Sequence, residues 1–261
     1  MSRRAPFLQR EMISLCGKAM HGWAMLEEND QVAVALSGGK DSLALLWLLA
    51  ERRRRIPIDF GIKAIHIEMG FGTVDVPALR EFCQGLGVEF HLIETDYGPR
   101  AHTPENREKS PCFFCAMHRR RELFQKASQL GCRKLALAHH QDDIHETFLM
   151  NLLYSGNLST MLPVQPFFGG ELVVIRPLSL VSADHTRRFS KLMNFPVQPP
   201  CCPSASEGKR ARVRELLNSL YRENKKVRPS IWGALTNSGL KMLPSAPSTQ
   251  PLRKSKKDKE N

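Results

Sequence analysis

No apolar run in this 261-residue chain approaches the ~20 residues that a bilayer-spanning helix requires. The opening MSRRAPFLQREM also lacks the hydrophobic core of a secretory signal. Both absences argue against a membrane-embedded or exported protein and predict a cytoplasmic one, with no membrane partner. In that reducing setting the seven cysteines are not expected to form a disulfide framework, so closely spaced pairs read first as metal or redox sites. Internal repeats are absent, which excludes solenoids and propellers. Acidic residues are in short supply: 26 Asp and Glu face 38 Lys and Arg, a formal charge of +12. Such an excess suits either plain solubility or an acidic partner, and its concentration in Arg-rich runs near candidate chemistry favours a nucleic acid.

What is present is an alternation of short apolar strands and longer helical segments. QVAVAL precedes Leu43 to Arg55, IKAIHIEM precedes Val76 to Leu86, and VEFHLIET is followed by a loop and then Arg119 to Leu130. KLALA precedes Ile144 to Tyr154, and LVVIRPL precedes SADHTRRFSKLM. Continuous apolar strands separated by helices require a parallel sheet covered on both faces, so the expected class is α/β, doubly wound. The expected organisation is an N-terminal helical segment (1–27), a main α/β domain (28–200), a cysteine turn with a basic helix packed on it (201–236) and a disordered basic tail (237–261). Cys16, Cys83 and Cys132 fall among apolar helical neighbours and read as packing.

At the end of the first strand stands SGGKDS, Ser37 to Ser42. A glycine-rich turn entering a helix at the carboxyl edge of a parallel sheet offers backbone N–H groups to an anion. Gly38 and Gly39 allow close backbone approach, Ser37 and Ser42 could donate hydroxyls, and Lys40 adds charge. The Walker A pattern is missing, because Val34 stands where its first glycine belongs and Asp41 follows the lysine. The bland alternative is a tight turn capped by Ser or Asp.

A second polar cluster, LALAHHQDDIHETF, follows another strand and places His139, His140, Asp142 and Asp143 at the same edge. The aspartates could be helix caps. Two carboxylates with two imidazoles at one strand tip nevertheless suit a magnesium–nucleotide site. His66, ending IKAIHIEM, is a candidate pocket residue or a core histidine. Arg176, ending an apolar strand, calls for an anionic partner.

In PCFFCAMHRRR, Cys112 and Cys115 have the spacing at which one metal or cluster takes both thiolates. Further ligands would come from Cys201 or Cys202, and a zinc turn completed by His118 is the alternative.

The six loop residues resemble the S-G-G-x-D-S signature of the PP-loop ATP pyrophosphatases. Together with AHHQDDIHET, PCFFC before an Arg-rich helix, IRPL and a late cysteine, they resemble, in this order, the TtcA-type tRNA 2-thiocytidine synthetases over roughly residues 15 to 235. Two departures are visible. Ala138 replaces the glycine before HH, and adjacent Cys201 and Cys202 replace a second C-x-x-C.

The resemblance implies ATP cleavage between the α and β phosphates and adenylation of the O2 oxygen of a tRNA cytidine, number 32 of the anticodon loop. AMP is then displaced by sulfur. It implies ATP binding by Ala35, Leu36, Ser37, Gly38, Gly39, Lys40, Asp41, Ser42, His66, His140, Asp143 and Arg176, with Lys40, Asp41 and Asp143 catalytic and Mg2+ near Asp143. It also implies a [4Fe–4S] cluster on Cys112, Cys115 and one of Cys201 or Cys202, with Cys202 favoured. Arg119, Arg120, Arg121, Lys209, Arg210 and Arg212 are the expected tRNA contacts. A sulfur donor such as a cysteine desulfurase is the further partner, and a homodimer the candidate assembly. The rivals are uridine thiolation, lysine attachment to cytidine, and a noncatalytic zinc-stabilised RNA-binding protein.

Overall fold

Six apolar segments pair into one sheet in a computed structural model that describes residues 6–104, 106, 110–199, 202 and 208–237. Cys201 and the tail expected to be disordered, from 238 onward, lie outside the described residues. The chain divides into two units, Met1–Ser219 and Leu220–Asn261. Among the described residues no helix is long and apolar enough to cross a membrane.

In chain order the elements are α1 (Phe7–Gly22), β1 (Asp30–Ala35), α2 (Lys40–Arg53), β2 (Phe60–Glu68), α3 (Val76–Gly85) and β3 (Glu89–Glu94). There follow α4 (Tyr97–Ala101), α5 (Pro111–Gln129), β4 (Lys134–Ala136), α6 (Gln141–Ser155), β5 (Val164–Phe167), β6 (Leu172–Ile175), α7 (Ala183–Leu192), α8 (Lys209–Glu223) and α9 (Val227–Thr236). The sheet order is β3-β2-β1-β4-β6-β5, parallel except where β5 meets β6. The doubly wound α/β expectation is borne out, with one addition: an antiparallel edge strand. β5 escaped the sequence reading because it is four residues long and contains Pro166, which an edge strand tolerates since it needs no inward N–H there.

Alternation along β1 explains the two covered faces. Val32 and Val34 join the larger apolar core with residues of α1, α2, α3 and α7. Ala33 points the other way, into a second core with Ile65, Leu135 and Val174, closed by Leu123 and Ala127 of α5. Cys16 and Cys83 are buried in the first core and Cys132 in the second, as their apolar neighbours predicted. Burial pushes the Cys16 and Cys83 thiols up to about 12, so neither is a thiolate at neutral pH.

Two helix starts differ from the sequence reading. α5 begins at Pro111 rather than Arg119, because Ser110 accepts a hydrogen bond from the Phe113 N–H and Pro111 supplies a preset first helical residue. Cys112 and Cys115 therefore lie on a helix, not in a loop before one. α6 begins at Gln141 rather than Ile144, with His140 as its cap and Asp143 completing a capping box.

Strand order also determines where ligands can sit. From β1 the chain moves outward through β2 to β3, then returns to lay β4 on the other side of β1. The loops leaving β1 and β4 diverge at this reversal, which opens a crevice at the carboxyl edge. SGGKDS follows β1 and HHQDD follows β4.

Candidate functional site

The loop after β1 is held by its own serines. Ser42 Oγ donates to the Gly39 carbonyl at 2.9 Å and accepts from the Ser37 N–H at 3.2 Å. Ser42 is buried, and its hydroxyl closes the loop. Ser37 Oγ lies 3.2 Å from Ser42 Oγ and accepts from the Gly39 N–H at 3.3 Å.

Gly38 has φ +82°, a conformation that disfavours any side chain. A Cβ there would also come within 2.7 Å of Gln198 Cγ. The Gly38 carbonyl accepts from the Gln198 N–H at 2.9 Å. In a trans peptide the C=O and the following N–H point in opposite directions, so this bond turns the Gly39 N–H away from Gln198. The Gln198 side chain accepts from the Asp75 N–H at 2.8 Å, tying the segment that leads toward the late cysteines to the start of α3. Gln198 carries no sequence signal, because its partners are far away along the chain.

Lys40 Nζ and Asp41 Oδ2 pair at 2.6 Å. Asp41 Oδ1 is buried with no hydrogen-bond partner among the described residues. A desolvated carboxylate oxygen without a donor is costly, and a bound cation is one group that relieves it. His140 stands between this oxygen and α6. Its Nε2 lies 4.0 Å from Asp41 Oδ1 and its Nδ1 3.2 Å from Asp143 Oδ2. Asp143 Oδ2 accepts from the His140 N–H at 3.0 Å, so the capping expectation and the site expectation meet in one residue. Burial raises the Asp143 carboxyl above its ordinary pKa, opposed by His140 and Arg210. Asp142 is placed differently: its buried carboxylate accepts from the Ala183 N–H at 2.7 Å and fixes the start of α7.

His66 is buried under the loop. Its Nδ1 is 2.7 Å from the Leu36 carbonyl, while Nε2 has no hydrogen-bond partner among the described residues. Burial lowers its pKa, keeping the ring neutral. His66 is thus a buried residue bonded to the backbone just ahead of the loop.

Arg176 is 5% exposed, yet the partners seen for it are neutral. Its Nε donates to His139 Nδ1 at 3.2 Å, one terminal nitrogen to the Leu162 carbonyl and the other to Gln165 Oε1 at 3.1 Å. The anionic partner expected from sequence is not found among the described residues, so the charge remains available to a ligand. Burial and the nearby Arg120 charge lower its pKa to about 10, which still leaves it cationic at neutral pH.

His139 must accept from Arg176 through a bare Nδ1, so its proton sits on Nε2. Burial, then the Arg176, Arg210, His140 and Arg119 charges, push its pKa down to about 3. An unfolded histidine takes up its proton near 6.5. Between those values the unfolded chain binds more protons, so stability falls as pH drops from about 6.5 toward 3. We expect His139→Gln to flatten this acid limb in unfolding midpoints measured from pH 7 to 4. An unchanged limb would show that His139 is protonated in the folded protein.

Sequence reasoning missed Glu146. It lies on α6 one turn beyond Asp143, buried, and receives Arg210 Nε at 3.0 Å and Arg214 Nε at 2.7 Å. Arg210 also approaches Asp143 Oδ1 at 3.9 Å. Arg210, expected to contact tRNA, is thus occupied in fastening α8 to α6. Lys209 stacks its ammonium 4.8 Å from the Tyr154 ring centre, and Arg212 is exposed. The i, i+3 spacing of Asp143 and Glu146 on a helix was the available signal.

Cys112 is exposed and Cys115 half-buried, the latter donating to the Tyr97 carbonyl at 3.8 Å. Cys112, Cys115 and Arg119 fall on one stripe of α5, and the Arg119 charge is felt at His139. Cys202 is half-buried. Among the described residues no three potential metal ligands are gathered.

Residues 8–218 match the PP-loop domain family. The chain is 37% identical over 223 residues to the tRNA-cytidine(32) 2-sulfurtransferase of Citrifermentans bemidjiense, covering 85% of this chain and 88% of that protein. It is 38% identical over 232 residues to the protein of the same name from Pelobacter propionicus, covering 88% and 86%. Among solved structures it resembles the U34-tRNA thiolase NcsA from Methanococcus maripaludis with its [4Fe-4S] cluster. That match has a TM-score of 0.73 and 25% identity, over 88% of this chain and 78% of that one.

Proposed function

The chain belongs to the PP-loop domain family and, within it, to the tRNA-cytidine(32) 2-sulfurtransferases, and from that premise we propose how its residues divide the work. ATP lies across Ser37 to Ser42 with its phosphates on the Gly38–Gly39 backbone. The cytidine O2 attacks the α phosphorus and pyrophosphate leaves, which makes C2 electrophilic. A sulfur nucleophile then adds at C2 and AMP departs with the former base oxygen.

Asp143 would hold Mg2+ together with phosphate oxygens and water, a coordination that needs only one or two protein carboxylates. Lys40 and Arg176 offset charge on the phosphates. His140 keeps the two aspartates apart, and Glu146 holds Arg210 beside Asp143.

Cys112, Cys115 and a late cysteine, Cys202 or Cys201, suit an iron–sulfur cluster, because such clusters take soft thiolates. When bound, the cluster supplies the site at which sulfur is presented. The reading includes a cytoplasmic location, a protein sulfur donor such as a cysteine desulfurase, and a homodimer.

The observation that carries this reading is the C-x-x-C pair on α5 in a chain whose phosphate loop ends in a carboxylate oxygen, on Asp41, with no hydrogen-bond partner among the described residues. The test is anaerobic purification with iron, sulfide and zinc analysis, followed by incubation with ATP and unmodified tRNA. We expect AMP, pyrophosphate and 2-thiocytidine in equal amounts. A colourless zinc protein that releases no AMP would establish the noncatalytic RNA-binding reading instead.

A further inference from the structure

α5 has another face, beside its thiol stripe. Phe113, Met117, Arg120 and Phe124 recur at helical spacing and, with Arg121 and Phe168, line an open groove of about 510 Å³. Its apolar groups are unusually accessible: Phe113 is 53% and Phe168 63% exposed. Phe168 stands at the tip of the β5–β6 hairpin with φ +51°, followed by two glycines also at positive φ. A bulky residue in that conformation is strained, and such strain recurs at ligand-contacting sites. No carboxylate lines the groove among the described residues. Arg121 approaches Glu122 at 3.4 Å, whereas Arg119 and Arg120 have no acidic partner among the described residues.

We propose that this groove receives unstacked nucleobases of the substrate RNA beside the reacting cytidine, with Phe113 and Phe168 as stacking platforms and Arg119 and Arg120 as phosphate contacts. The proposal rests on the tRNA-modifying reading and adds to it a surface and a recognition chemistry. Three features argue for this occupant. Interleaved aromatic rings and arginines are what single-stranded RNA requires, because every base has a π face and every linkage a charge. The groove lies beside the thiol pair, since Phe113, Ala116 and Met117, which line it, flank Cys112 and Cys115 on α5. A second copy is disfavoured, because a two-fold interface would set this arginine run against itself. The chain's own lysine-rich C-terminal stretch is disfavoured for the same reason of like charge.

Phe168→Gly removes the ring while relieving the positive φ, so the fold is not endangered. The probe is an unmodified anticodon stem-loop RNA, with binding followed by fluorescence anisotropy over a salt series. We expect Phe168→Gly to weaken binding roughly tenfold or more, as loss of one stacked base does, with the salt slope unchanged. Phe168→Tyr should restore affinity, and ATP binding and thermal midpoint should match the parent. Arg120→Ala should reduce the salt slope by about one phosphate contact.

Wild-type affinity in Phe168→Gly, with thiolation intact, would overturn the groove while leaving the thiolation reading in place. Conversion of a dimer to a monomer by Phe168→Gly in sedimentation would also overturn it, assigning the groove to a second copy. A wild-type protein that binds the stem-loop no better than an RNA of scrambled sequence and thiolates nothing would sink both.

Discussion

Asp143→Asn is expected to lower ATP-dependent thiolation by about a hundred- to a thousandfold, the loss typical when one preorganised electrostatic group is removed from a reaction centre. The amide is chosen because Asp143 has two jobs. As the third residue of the α6 capping box it accepts from the His140 N–H at 3.0 Å, and an asparagine oxygen can do the same. Alanine would lose that bond as well, confounding activity with a cap worth about 1 kcal/mol. What asparagine cannot supply is the negative charge with which Asp143 would hold a magnesium ion and its phosphates.

The stability of this variant should move the other way. Burial raises the folded-state pKa of Asp143, so the folded protein holds this proton more tightly than the unfolded chain does. For such a group the linkage contribution is lost as pH rises through the window between the ordinary carboxylate pKa and the raised one. At neutral pH an ionised Asp143 is therefore a net cost, and Asp143→Asn should unfold at the same temperature as the parent or higher. Single-turnover AMP release and a thermal midpoint measured on one preparation check both halves. A fall in midpoint with AMP release preserved would make Asp143 a cap and nothing more.

Cys115→Ser should abolish 2-thiocytidine formation and remove iron and sulfide from the purified protein, while ATP still protects it against thermal unfolding. Cys112→Ser should behave in the same way. The two residues share the first turns of α5, and a cluster held by three thiolates is left with only two when either is replaced. The contrast that makes the experiment specific lies with Cys16 and Cys83. Both are sealed in the main core, with thiols pushed up to about 12, so their replacement by serine should cost stability and leave the iron content unchanged. If Cys83→Ser lost its iron and Cys115→Ser kept it, the thiol site would be misplaced. ATP protection in the Cys115 variant matters because it separates activation from sulfur delivery.

Each feature of the fold was legible to the extent that its cause was local. Apolar runs of strand length between helical stretches imply a covered parallel sheet, since no other architecture buries both faces of such strands. β5 was illegible because its pairing to β6 is decided by the partner strand, and Pro166 weakens whatever signal four residues could give. The start of α5 was legible in principle, as Ser110 and Pro111 form a helix-start pattern, but the cysteines drew that stretch into a loop.

By itself the sequence determined the chemical inventory. It supplied a glycine turn with Asp41 where a Walker loop has a hydroxyl, a paired aspartate cluster, and two thiols at a spacing that one cluster can bridge. It determined these because each depends on residue type within a few positions. Only the tertiary structure decided which polar groups are spent and which are left over. Ser42 bonds within its own loop, Asp142 to the start of α7 and Arg210 to Glu146, while Arg176 keeps its charge and one oxygen of Asp41 has no hydrogen-bond partner among the described residues. The physical reason is that hydrogen-bond satisfaction is settled between segments far apart in the chain, at the crevice where strand order reverses beside β1.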